Sequence, residues 1–310
     1  MLTSALMASV QRRAAVPNAQ TTFSTSDFYA LIDEEIESKL IPLILKNLEE
    51  YYVWDLPTNI VAGVNQYPIP YRAIAGKLRD VQVISSTDPE SIIPLDRLEI
   101  TDLFSSTSTS YRVLIKKTGF YIKGNSIYMY PAPTYSQNIL NLEYYIRPGT
   151  SVDPTVCAQI TAINQSAQTV TVSSVPSNIT TSTTIDFVKA MPGFEYTAID
   201  QTISSIVGTT LTMVSPLPVI GGSQNLSLSV GDYVCQSTQS CVVQVPQELL
   251  PLLSQYVVVR VLSAQGDSQA LQMAINELTK LEENAQMLIS PRADGKPKRV
   301  TNTRGVSRFV

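Results

Sequence analysis

The longest run of helical spacing lies between Pro246 and Ser290. Leu271, Ala274, Leu278, Leu281, Ala285 and Leu288 recur in alternating steps of three and four, which is one face of a helix. Gly266-Asp267 separates this stretch from an earlier helix, Gln247 to Ser263, carrying Leu249, Leu252, Leu253, Tyr256 and Leu262. A third helical pattern opens at the capping residues Ser24 to Asp27 and runs to about Val53. Its apolar face is Phe28, Leu31, Ile32, Ile36, Leu40, Leu43, Ile44, Leu48 and Tyr51, and Pro42 is expected to kink or split it. The simplest packing sets the Leu271–Leu288 stripe against the Phe28–Tyr51 face.

Between the helices the period changes to two. Gln66-Tyr67-Pro68-Ile69-Pro70 reads as an extended edge and Leu78 to Ser85 as a strand. Phe120-Tyr121-Ile122 and Ile127-Tyr128-Met129-Tyr130 flank Lys123-Gly124-Asn125-Ser126, a hairpin signal with a Gly-Asn turn. Leu140, Leu142, Tyr144 and Ile146 alternate with Asn141, Glu143, Tyr145 and Arg147 in a half-buried strand. The run from Ser105 to Ser110 reads as an exposed loop. Tyr121, Tyr128, Tyr130, Tyr135, Tyr144 and Tyr145 cluster in this unit. Few cations interleave them, so cross-strand packing or a subunit interface is a better reading than base stacking.

From about Thr155 to Gln236 charged residues nearly vanish, and short strands alternate with polar turns. Ile160 to Ser173 and Ile203 to Ser215 resemble each other, as two copies of one hairpin would in a small barrel. Leu226, Leu228 and Val230, then Gly231-Asp232-Tyr233-Val234, would close it. The expected fold class is therefore α+β: a helical bundle from the N- and C-terminal helices, an antiparallel β unit, and an inserted small β-barrel. The expected division is a flexible arm over 1–24, a core over 25–150 and 246–290, the barrel over 151–245, and a tail over 291–310.

Charge changes the picture at that tail. Arg292, Lys296, Lys298, Arg299, Arg304 and Arg308 stand against Asp294, a net of +5, so the remainder carries -9 of the chain's total of -4. A segment of this composition builds no core of its own. Its roughly 20 residues reach about 65 Å when extended, enough to cross a neighbouring subunit. The cations favour an acidic groove or phosphates, and Phe309 and Val310 supply an apolar end. At the other end, Met1 to Val10 is mildly apolar but Arg12-Arg13 follow it, the reverse of a secretory signal, which suits a docking arm of a cytoplasmic product. No stretch has the length and apolarity of a membrane span.

The chain has no histidine, so Ser-His and Cys-His pairs and the commonest zinc ligand are unavailable. Cys157, Cys235 and Cys241 form no CxxC pair and read as small buried residues. No GxGxxG or Gly-Lys-Ser/Thr phosphate loop occurs, and no cofactor is expected. Asp33, Glu34, Glu35 and Glu37 read as a solvated helix face. Asp153, Asp186, Glu195 and Asp200 in the barrel region are the carboxylates a glycosidase would need, though nothing in the sequence pairs them.

The order helix, sheet unit, barrel, long helices, basic tail resembles the head–tail adaptor (connector) proteins of tailed bacteriophages. The resemblance is carried by Tyr67-Pro68-Ile69-Pro70, by Gly124 to Pro133 with the Leu140–Pro148 strand, and by Val245-Pro246-Gln247-Glu248-Leu249-Leu250-Pro251-Leu252-Leu253. It implies a structural virion protein at the neck, made in the host cytoplasm. It also implies a homo-oligomeric ring, of twelve copies, below the portal protein, continuing the DNA channel toward downstream neck or tail proteins. The implied portal-docking extension falls on 291–310, and so on the six cations and Phe309. The simpler adaptors lack the barrel. The alternatives are another neck or tail ring, a head-closure or tail-terminator protein, or a surface- or glycan-binding module using barrel loop residues such as Phe194 and Tyr196.

Overall fold

The computed structural model describes residues 1–16, 22–86, 88, 91–99, 118–134, 136, 138–190, 196–218 and 227–289. The chain begins with a helix, α1 (Thr3–Arg13), where a flexible arm was expected. Thr3, Leu6 and Val10 fall on one stripe at three- and four-residue spacing, and all three are buried. Thr3 N donates to Cys241 O at 2.9 Å and Leu2 bridges to Val242, so the first turn is tied down from outside the helix.

Ser24 and Asp27 form a reciprocal capping box at the start of α2 (Thr25–Glu35), as their spacing predicts. The expected long helix is then divided. Ile36–Leu40 is a π-turn, and α3 (Ile41–Asn47) restarts with Pro42 in its first turn. Proline has no N–H for the carbonyl of Ser38, so the regular ladder cannot pass through this point. The helix stops at Asn47, well short of Val53, which opens strand β1 (Val53–Asn59).

The strands that follow are β2 (Gln66–Pro68), β3 (Ala73–Ser85), β4 (Ile92–Pro94), β5 (Asp96–Arg97), β6 (Gly119–Lys123), β7 (Ser126–Tyr130) and β8 (Asn138–Ile146). They make two four-stranded sheets, β1-β8-β3-β4 and β2-β7-β6-β5. The β6–β7 hairpin turns at Gly124-Asn125, with Lys123 opposite Ser126 and Gly124 at φ +59, a conformation glycine adopts freely. Short β9 (Thr150–Ser151) runs parallel to β16 (Gln239–Ser240).

Between those two lie β10 (Ala158–Asn164), β11 (Thr169–Val172), β12 (Thr184–Val188), β13 (Tyr196–Val207), β14 (Thr210–Met213) and β15 (Tyr233–Gln236). They close a barrel in the order β10-β11-β14-β13-β12-β15. Inward-facing Ile160, Val170, Ile185, Phe187, Ile203, Leu211 and Val234 fill it. The two sequence passages that resemble each other are the β10–β11 and β13–β14 hairpins. Each carries a register shift at the same place, between Ile160 and Ala162 in one and between Ile203 and Ser205 in the other. The skipped residues bond alike: Thr161 Oγ1 donates to Thr171 O and Ser204 Oγ to Thr212 O, both at 3.1 Å. The hairpins meet antiparallel with Val170 opposite Leu211.

The chain returns through α4 (Leu250–Gln265) and α5 (Ser268–Leu288). Gly266, at φ +76, ends α4, and Asp267 caps α5 by accepting from Ala270 N at 3.0 Å. α4 is buried on most sides, and α1, α2 and α5 all pack against it. This changes the expected seam. The Leu271–Leu281 stripe of α5 lies chiefly on α4, and α4 itself covers the Phe28–Ile32 face of α2.

Candidate interaction site at the seam between barrel and body

The sequence-predicted tail residues Arg292, Lys296, Lys298, Arg299, Arg304, Arg308 and Phe309 lie outside the described residues, as do Phe194, Glu195 and Tyr135. What the structure does bring together is a polar seam where the barrel meets the two sheets and α2.

Arg72, in the turn between β2 and β3, reaches into the barrel wall. Its guanidinium makes a bidentate pair with Asp186 of β12, with Nη1 at 3.2 Å from Oδ1 and Nη2 bonded to Oδ2. Both side chains are buried, at 3% and 0% exposure. Asp186 also accepts from Asp200 N at 2.8 Å and Thr238 N at 3.0 Å. Local backbone supplies these donors. Opposite Asp186 the β12–β13 register slips, and Asp200 adopts φ +52, which turns its N–H inward. Asp200 in turn accepts from Tyr71 Oη at 2.7 Å and from Ser237 Oγ. The ring of Tyr196 lies under the guanidinium at 5.2 Å and meets Trp54 edge-on at 6.3 Å. Burial pushes the Asp186 carboxyl up, and the Arg72 charge opposes this.

Of the four carboxylates weighed as catalytic, Asp186 and Asp200 therefore do meet, around one arginine. Asp186 is occupied by a cation and two backbone donors, which leaves it no free lone pair facing solvent. Asp153 lies elsewhere, in a cleft of about 750 Å³ between α2, β9 and the barrel, beside Tyr29, Asp33, Ser151, Asn178 and Gln239. Asp153 caps the turn at Pro154 and accepts from Thr155 N at 2.9 Å and Tyr29 Oη at 3.0 Å. The Thr155 bonds hold its carboxyl below the ordinary value, and burial lifts the Tyr29 phenol to about 12. Asp33 takes Ser151 N on both oxygens at 3.0 Å, and burial raises its carboxyl. Asp33 and Asp153 thus stand in a cleft whose walls also include Ala30, Val152, Val156 and Pro176, so its lining is mixed and largely apolar.

The α2 acids are not one solvated face. Glu34 and Glu37 are exposed, but Glu35 is fully buried, paired with Lys39 Nζ at 2.8 Å and Arg260 Nε at 2.5 Å. Glu35 sits seven residues after Phe28, on the stripe that faces α4, which is why it is buried. Lys39 also stacks over Tyr256 at 4.1 Å, and Tyr256 donates to Glu282 at 2.7 Å, so one polar chain links α2, α4 and α5.

The tyrosines sit as cross-strand packing requires. Tyr121 and Tyr128 face each other across β6 and β7 with rings 5.2 Å apart and nearly parallel, and Tyr144 is buried. All three cysteines are buried and unbridged. They also converge, which their spacing in sequence gave no sign of. The Cys235 and Cys241 thiols hold Cys157 below the ordinary thiol range, while burial pushes Cys235 well above it. Sequence reasoning missed Arg72 and Trp54. The signal for Arg72 was a cation just after the extended Tyr67–Pro70 edge, in a chain short of charge. No helix among the described residues is long and apolar enough to cross a membrane.

Residues 1–164 match the SU10 adaptor protein family, a stretch that takes in α1 to α3, both four-stranded sheets and the first barrel strand. No curated protein matches the chain. The match covers more than half of the sequence, and the chain belongs to the SU10 adaptor family of tailed-phage adaptors.

Proposed function

We propose that this SU10-family adaptor forms a homo-oligomeric ring, of twelve copies, directly below the portal. In this reading the ring extends the DNA channel and joins head to tail. The observation that carries it is the family match over 1–164, which includes α1 and α2, the helices that α4 packs against, and both four-stranded sheets. The helical layer and sheets supply the ring body. The barrel, locked to that body through Arg72 and Asp186, is a rigid projection toward a neighbouring subunit or the next neck or tail protein. The basic segment 291–310 docks on the portal through Arg292, Lys296, Lys298, Arg299, Arg304 and Arg308, with Phe309 as its apolar anchor.

The tail's net charge of +5 suits an acidic groove, which is the surface this reading asks the portal to offer. The test is deletion of 291–310. The truncated chain should fold, and it should fail to join portal-bearing heads in an in vitro assembly assay. Heads that mature normally with the truncated chain would refute portal docking through the tail. Virion images averaged about the neck axis test the wider reading, and density for this chain at a fibre tip or in the capsid shell would refute it.

A further inference from the structure

Cys157, Cys235 and Cys241 come from three separate segments: the approach to β10, strand β15, and the stretch between β16 and α4. Their sulphurs nonetheless all lie within 4.8 Å of one another. Cys235 Sγ and Cys241 Sγ are 3.9 Å apart. A disulfide needs about 2.05 Å. Two sulphurs sharing one tetrahedral ion through Zn–S bonds of about 2.3 Å lie about 3.8 Å apart. The observed spacing fits a shared ion better than a bond.

The place is also informative. Cys157 leads into the barrel, Cys235 leaves it, and Cys241 carries the chain back toward α4. The carbonyl of Cys241 takes both Thr3 N at 2.9 Å and Thr3 Oγ1 at 3.2 Å, so α1 is anchored at the same point. The thiols belong to the core that also holds Val188, Tyr196 and Val242. Small apolar side chains would fill such a core equally well. Three thiols converging on one point, from positions 157, 235 and 241, make a soft donor set without histidine.

We propose that Cys157, Cys235 and Cys241 form a binding site for one thiophilic metal ion, zinc(II), that ties the barrel, the returning chain and α1 together. Binding releases three thiol protons to solvent and forms three Zn–S bonds, with no change of oxidation state. The resulting unit carries one net negative charge. No further Asp, Glu or His joins the cluster among the described residues, which leaves the fourth position to a solvent or backbone oxygen. Because the sulphurs are buried, the ion enters as the chain folds, and its binding free energy adds to folding.

The test uses the full chain expressed in zinc-supplemented medium and, separately, in cobalt-supplemented minimal medium, and purified under reducing conditions. One zinc per chain by elemental analysis is expected. The cobalt protein should show a thiolate-to-cobalt charge-transfer band, and adding a strong chelator during thermal unfolding should lower Tm. The single variants C157A, C235A and C241A should each lose the band and the bound metal. Alanine is small and apolar, and retained circular dichroism separates metal loss from misfolding. A wild-type chain with no metal and no band overturns the proposal. So does metal retained by the triple C157A/C235A/C241A variant, which would place it on other groups. A metal-free wild-type chain two hydrogens lighter, with Cys235 bonded to Cys241, overturns it too.

Discussion

Arg72 and Asp186, 114 residues apart in the chain, form a buried bidentate ion pair that joins the β2–β3 turn to the barrel wall. Neither group reaches water, so each depends on the other. Arg72→Met should cost about 3–5 kcal/mol, because it leaves the Asp186 charge buried with only backbone donors. The double variant R72M/D186L removes the uncompensated charge and should recover part of that loss. It should not become neutral, since the N–H groups of Asp200 and Thr238 lose their acceptor, at about 1–3 kcal/mol each at most. Denaturant unfolding of the four-member cycle measures this, and a double variant weaker than R72M would contradict it.

Gly149 is the second fixed point of the seam. A Cβ there would stand 2.7 Å from Tyr196 Oη and 2.9 Å from the Gln239 carbonyl carbon. Tyr196 is fully buried and Gln239 is backbone in the β9–β16 pair, so neither yields cheaply. Gly149→Ala should lower stability by about 1–3 kcal/mol, as overpacking does. Thermal unfolding should show a lower Tm, and an unchanged Tm would mean that the seam has slack.

Glu35 explains why two helices that share no turn stay together. Lys39 and Arg260 each retain partial exposure, at 38% and 47%, while the carboxylate has none. Lys39→Met or Arg260→Met alone leaves one cation in place and should cost on the order of 1 kcal/mol. K39M/R260M strands a buried carboxylate and should cost about 3–5 kcal/mol, more than the sum of the singles. Additive losses in urea unfolding would show that Glu35 finds water instead.

Local signals were well read from the sequence and distant pairings were not. The Ser24–Asp27 cap, the Gly124-Asn125 turn and the Gly266-Asp267 break rest on chemistry within a few residues, and each stands where its residues predict. The two like passages of the barrel were legible because both hairpins keep the same bulge. Glu35 was misread because charge was weighed above its place on the Phe28–Ile32 stripe. α1 differs from the expected arm because its stripe of Thr3, Leu6 and Val10 is too short to hold a helix alone and gains it by packing on α4. The Arg72–Asp186 pair and the three thiols depend on contacts across 78 residues or more, apart from Cys235 with Cys241, which are 6 apart. Only the closed fold shows such contacts.

Asp153 and Asp33 line one cleft and should respond to pH in opposite senses. The Thr155 bonds lower the Asp153 carboxyl from its ordinary 3.8, so the folded state favours the ionised form. Its contribution is fully present above that value and is lost as pH falls through the lowered one. Burial raises the Asp33 carboxyl, so its contribution is present below 3.8 and is lost as pH rises through the raised value. Asp153→Asn should therefore destabilise the chain most near neutrality, and the gap to wild type should narrow as the pH is taken below 3.8. Asp33→Asn should show its smallest deficit, or a gain, near neutrality, where the wild-type carboxylate is held ionised against its surroundings. Urea midpoints for the wild type and both variants between neutral and acid pH decide the matter. Parallel curves for D153N and wild type would mean that Thr155 does not favour the carboxylate in the folded state.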